Sequence, residues 1–134
     1  MYFTSTRIIT TDVQRLVAFY EKIAGTPLTV YTKDFAELRT PLATLAIGST
    51  NTLSLFGGEA VAAPGANRSV IIEFRVEDVD ASYAQLAEYL GNAIVQPPTT
   101  MPWGNRSLLL RDPDGNLVNL FTPITDEAKQ RAVK

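Results

Sequence analysis

The feature that most constrains this chain is that it repeats itself. "TTDVQRLVAFYEKIAG" (10–25) and "VEDVDASYAQLAEYLG" (76–91) align Asp12 with Asp78, Val13 with Val79, Ala18 with Ala84 and Gly25 with Gly91, at an offset of 66. "LSLF" (53–56) aligns with "VNLF" (118–121) at an offset of 65. A unit that recurs in order implies two copies of one supersecondary module. Module one is expected over 1–60, a linker over 57–69, module two over 66–124 and a short helix over 125–134, all within one domain of 134 residues.

Each module reads as a helix set among strands. Val13, Leu16, Val17, Tyr20, Ile23 and Ala24 follow helical spacing, as do Val79, Tyr83, Leu86, Ala87 and Leu90. Thr11 with Gln14 has the form of a capping box and Asp12 competes as the N-cap, while Asp78 caps the second helix. Gly25 suits a left-handed C-terminal position, and Gly91 ends the second helix.

The strand "SVIIEFRV" (69–76) alternates, with Val70, Ile72, Phe74 and Val76 on one face and Ser69, Ile71, Glu73 and Arg75 on the other. "FTSTRIIT" (3–10) is its counterpart and places Ser5, Arg7 and Ile9 on the matching face. After the first helix, strands are expected near 27–32, over 35–47 in one or two pieces, and over 52–57. After the second they are expected near 93–97, 106–111 and 116–121. The order strand–helix–strand–strand–strand, twice, makes the fold class α+β, two βαβββ modules in tandem. In "DEAKQRAVK" acids lead and bases follow, which suits a terminal helix and its dipole.

Composition excludes several functions. The chain has no Cys and no His, so it has no thiolate or imidazole for nucleophilic catalysis or metal binding. A net charge of −2 without a basic cluster argues against a nucleic-acid partner. No apolar run is long enough to span a bilayer. The first residues lack the pattern of a signal peptide, so a cytoplasmic location is expected.

"DPDG" (112–115) reads as a type I turn running into a bulge: Asp112 accepts, Pro113 fixes φ and Gly115 permits a positive φ. Trp103, in "TTMPWGNRS" (99–107), reads as a packing anchor, with the wall of a ligand pocket as the alternative. Arg7 and Glu73 hold the same position in the two modules. If the first strands lie side by side, the two charges meet. They then form either a partly buried ion pair or a binding arginine beside a general base. Asn119 is a neutral amide between Val118 and Leu120, in a strand that otherwise favours burial.

The repeat, the helix start "TTDVQRLVAFYEKIAG" and "LLLRDPDGNLVNLF" together resemble the vicinal oxygen chelate superfamily, the group of glyoxalases, bleomycin-resistance proteins and extradiol dioxygenases. The resemblance implies two modules forming a cupped, incompletely closed mixed barrel. In metal-using members the ligands come from the first and last strands of each module. Carried over by local pattern, those positions fall at Ser5, Ile71, Ser54 and Asn119. None is an imidazole or a carboxylate, and Asn119 stands where the metal enzymes place a glutamate.

No metal and no other cofactor is therefore expected. The expected function is binding of a small organic molecule in a cavity lined by Ser5, Arg7, Ile9, Ser54, Ile71, Glu73, Asn119 and Trp103, as in the drug-sequestering members. The alternative is a metal-independent lyase or isomerase with Glu73 as its base. A metal-dependent lyase or dioxygenase ranks last. The resemblance also implies a homodimer.

Overall fold

The computed structural model describes residues 1–133, in two compact units, Met1–Asn67 and Arg68 onward. The first contains β1 (Ser5–Thr10), α1 (Val13–Ala24), β2 (Thr29–Thr32), β3 (Phe35–Arg39) and β4 (Thr44–Ser49). The second contains β5 (Ile71–Arg75), α2 (Val79–Leu90), β6 (Ile94–Thr100), β7 (Asn105–Arg111), β8 (Leu117–Pro123) and α3 (Asp126–Ala132). Both units are βαβββ, and the class is α+β.

The sheets have one topology. Strand order is β1-β4-β3-β2 in the first and β5-β8-β7-β6 in the second. The first strand pairs in parallel with the last, and the remaining pairs are antiparallel. A parallel pair needs a long crossover, which the helix and two intervening strands supply. In each unit one sheet face is apolar. In the second, Phe74 lines up with Leu120 and Leu108, and Ile72 with Val118 and Leu110. Leu108, Leu110, Val118 and Leu120 are buried, each such side chain contributing about 1.5–3 kcal/mol. Val70 does not join this face: it precedes β5 and is exposed.

Asp12, not Thr11, caps α1, accepting from the Arg15 N–H at 3.1 Å. Asp78 caps α2 through the Ala81 N–H at 3.1 Å. Gly25 is left-handed, with φ 69°. The buried residues of α1 are Val13, Leu16, Phe19 and Tyr20. Phe19 joins the stripe with its ring edge-on to Tyr20, whereas Ala24 is exposed. Val79, Leu86 and Leu90 carry the core of α2.

One strand expectation fails. The stretch 35–47 is two strands, so β4 is already the last strand of its unit. Residues 52–57 form no strand: Thr50–Leu53 is a 3-10 turn that Ser49 caps through the Asn51 N–H. "LSLF" resembles "VNLF" in letters only. Ser54 is therefore not on a strand. It is exposed, with its N–H bonded to the Asn51 carbonyl at 3.3 Å. The register gives the true counterpart of Asn119. Glu73 lies opposite Asn119 on β8, and Arg7 lies opposite Ala46 on β4.

Candidate functional site

Alternation along β1 and β5 sends the helix-facing residues inward and leaves a second face for polar groups. In the first unit that face carries Ser5, Arg7 and Ile9 on β1, Thr44, Ala46 and Gly48 on β4, and Phe35 and Glu37 on β3. Ser5 is exposed and Ile9 half-buried. Arg7 dominates the face. Its guanidinium carbon lies 5.6 Å from the centre of the Phe35 ring and 5.7 Å from that of Phe56, within cation–π range of both.

Small neighbours make room for this arginine. A Cβ on Gly48 would lie 3.2 Å from the Arg7 Cδ and 2.8 Å from the Thr52 hydroxyl. Arg7 thus runs closely over the Gly48 backbone toward Phe35. The turn that brings Phe56 is tied to the start of β3, because Ser49 Oγ (2.7 Å) and Asn51 Nδ2 (3.2 Å) both donate to Asp34. The Ser49 bond, then the Asn51 bond, hold the Asp34 carboxyl below its ordinary value, so the lock is charged at neutral pH. In the same row as Arg7, beyond Ala46, Glu37 accepts from the Tyr31 hydroxyl at 2.8 Å. Among the described residues the Arg7 guanidinium donates to no acceptor.

In the second unit the equivalent face holds Ile71 and Glu73 on β5, with Leu117 and Asn119 on β8. Asn119 Nδ2 donates to Glu73 Oε2 at 2.9 Å, so the amide orients an exposed carboxylate. The Asn119 Oδ1 is itself buried without a protein partner. Ile71 is 52% exposed, an apolar side chain left on an open sheet face.

Trp103 is not a packing anchor. It is 58% exposed in the turn between β6 and β7, where its carbonyl accepts from Arg131 of α3. The chain's single tryptophan is placed by a tight turn rather than by the core.

Of the expected residues, Ser5, Arg7 and Ile9 share one face of the first unit, and Ile71, Glu73 and Asn119 share one face of the second. Ser54 and Trp103 lie on turns. Phe35, Phe56, Glu37 and Tyr31 were not among the expected site residues. Three of them were within reach of the sequence: alternation through "FAELR" puts Phe35 and Glu37 on one face, and Tyr31 lies on the neighbouring strand. Phe56 was hidden by the mistaken strand.

The donor set does not fit the divalent metal that the fold implies. In the first unit the positions in question supply hydroxyls and, from the register, an alanine; in the second they supply an isoleucine and an amide, beside the single carboxylate of Glu73. Transition-metal sites draw on imidazole, thiolate or several carboxylates. No three acidic side chains gather among the described residues.

Comparison with known proteins accords with this architecture. The model of the Glyoxalase/Bleomycin resistance protein/Dioxygenase superfamily matches residues 3–120. The Bacillus subtilis (strain 168) protein YraH is 27% identical over 119 residues, which cover 86% of this chain and 93% of that protein. A glyoxalase/bleomycin resistance protein/dioxygenase structure from Nocardioides has a TM-score of 0.74 at 23% identity, covering 94% of this chain and 85% of its own. A family enzyme from Burkholderia phytofirmans PsJN reaches 0.78 at 15% identity, with 92% of this chain and all 100% of that chain covered. At these identities the two structures speak for the fold alone. The repeated βαβββ unit, its parallel first-to-last strand pairing and the match over most of its length make this chain a member of the Glyoxalase/Bleomycin resistance protein/Dioxygenase superfamily.

Proposed function

We propose that this protein binds a small organic molecule on the polar faces of its sheets, without a resident metal. The observation that carries this reading is the Asn119–Glu73 pair. Where metal-using members place a charged ligand, this chain has an amide whose nitrogen is committed to a neighbouring carboxylate. An organic ligand can use what remains, a mixed surface of apolar side chains and a few oriented polar groups.

The test is a thermal-shift screen of neutral, cationic and anionic small molecules, with metal analysis after dialysis without chelator. A ligand that binds only the native state raises the melting temperature, by about 2.7 kcal/mol of stabilisation at a hundred times its Kd. At least one compound is expected to do so, with no stoichiometric transition metal. One tightly bound zinc, iron, nickel or manganese per chain overturns the metal-free reading. A screen with no hits overturns the binding reading.

The same pair favours a second reading, a metal-independent lyase or isomerase. An exposed carboxylate held by one amide can accept a proton from a bound substrate. Turnover that Glu73→Gln abolishes while binding persists identifies this activity. Binding without turnover leaves the protein a binder.

The reading extends to a homodimer. The end strands β2 and β6 expose Val30 and Val95, apolar side chains that a second copy can cover. Light scattering at micromolar concentration is expected to give twice the chain mass, and a monomer mass refutes the dimer.

A further inference from the structure

The first unit says more about the ligand than the second, because the guanidinium of Arg7 donates to no acceptor among the described residues. Arginines held in fixed positions ordinarily use their planar fork of five donors on carboxylates or backbone carbonyls. Arg7 is fixed without that. Phe35 and Phe56 flank its guanidinium, and its stem lies close over Gly48. Among the described residues none of its N–H groups meets an acceptor. The side chain is preorganised while its hydrogen-bonding capacity is unspent, and fixing a binding group in advance lowers the entropic cost of taking a ligand.

The surroundings narrow the chemistry. Two phenyl rings beside the guanidinium hold it by cation–π attraction while leaving it open to solvent, so an incoming anion can reach it for a charge-assisted bond. A flat unsaturated frame can stack on the same rings. Glu37 stands in the same row, two strands from β1, with one oxygen engaged by Tyr31 and the other without a partner among the described residues. That carboxylate disfavours a second anionic group on the ligand.

We propose that this face takes a planar aromatic monocarboxylate, with the carboxylate on the Arg7 fork and the ring against Phe35 and Phe56. The proposal rests on the small-molecule reading above and adds the ligand class. A Glu37 beside the site makes a dicarboxylate of the same frame the poorer ligand.

The probes are 2-naphthoate, its neutral amide 2-naphthamide and the cation 2-naphthylmethylammonium, titrated into the full chain by calorimetry. The Arg7 Nε–H resonance is followed by NMR. The carboxylate is expected to bind at least about tenfold more tightly than the amide and to shift the Arg7 resonance, as a charge-assisted bidentate pair should. Arg7→Met should weaken it by about tenfold or more. Arg7→Lys, which keeps the charge but not the fork, should recover only part of the loss. Because Arg7 is exposed, the melting temperatures of both variants should stay close to that of the parent.

Equal affinity for amide and carboxylate overturns the proposal. So does naphthoate binding that survives Arg7→Met, or no naphthoate binding at millimolar concentration. Preference for the amide or the cation overturns the anion assignment and leaves small-molecule binding standing. A broad screen empty of hits removes both.

Discussion

Gly104→Ala is expected to cost about 2–4 kcal/mol of stability, read as a drop in the urea midpoint at unchanged slope. Gly104 sits in the turn between β6 and β7 with φ 93°, a conformation that a residue with a Cβ adopts only under strain. Space is the larger obstacle. A Cβ there would fall 2.0 Å from the Thr125 hydroxyl and 3.0 Å from Ala128 Cβ. The Thr125 hydroxyl is not free to move away without loss. It caps α3, accepting from the Ala128 N–H at 3.1 Å, and a lost cap costs about 1 kcal/mol. Gly104 also offers its carbonyl to the Ile124 N–H at 2.9 Å, where the chain leaves β8 for the helix. Arg131 and Arg75 donate to the Trp103 and Ala132 carbonyls and hold α3 to the same unit. The clash therefore acts on the seating of a whole helix. In a Thr125→Ala background, where the hydroxyl and the cap are already gone, Gly104→Ala should cost less by about 1 kcal/mol, a coupling that a double-mutant cycle measures. A single-variant loss under about 0.5 kcal/mol would mean that the turn relaxes freely and that this account of α3 is wrong.

The sequence was legible where local chemistry and global fold agree. Asp78, Gly25 and Gly91 stand at helix ends because capping and the left-handed region are decided within a few residues. The alternation in β1 and β5 was legible for the same reason, since side-chain direction follows the pleat. The misreadings have a common cause. "LSLF" has a strand-like composition, but Thr50–Leu53 is already wound as a 3-10 turn capped by Ser49, and the end of β4 is set by pairing with β1 and β3. Letter similarity to "VNLF" could not reveal this, because register is a property of partners far along the chain. Ser54 was placed on a strand in that way, whereas it follows the turn. The cradle of Arg7 was invisible for a related reason. Phe56 reaches the guanidinium only because a turn folds back, and Gly48 matters only because a side chain from another strand passes over it. Trp103 is exposed although a large aromatic favours the core, because Gly104 and the turn around it decide its exposure.

The second large effect is expected at Asp112, in the turn that sets the register of β8. Its side chain is 4% exposed and takes three bonds from within the turn. Oδ1 accepts from the Asp114 and Asn116 N–H groups, both at 2.9 Å, and Oδ2 accepts from Asn116 Nδ2 at 2.8 Å. Backbone bonds close the loop, from the Gly115 N–H to the Asp112 carbonyl at 2.9 Å and from the Asp112 N–H to the Asn116 carbonyl at 3.0 Å. Asp112→Ala strips partners from donors at the buried Asn116, and each buried donor left unmade costs about 1–3 kcal/mol. The expected loss is about 3 kcal/mol in denaturant unfolding. Asp112→Asn should lose only about 1 kcal/mol, because one oxygen still serves the two N–H groups and the Asn116 amide can turn to present its own oxygen. The consequence reaches the site. β8 follows this turn directly, and a slip of one residue would carry Asn119 to the apolar face and away from Glu73. Asp112→Ala should therefore weaken ligand binding in proportion to the fraction of chain that loses the turn, and Asp112→Asn should leave binding intact. Equal stability of the alanine and asparagine variants would show that the turn is held by its backbone bonds alone. The buried Asp112–Asn116 contact would then have no part in placing Asn119.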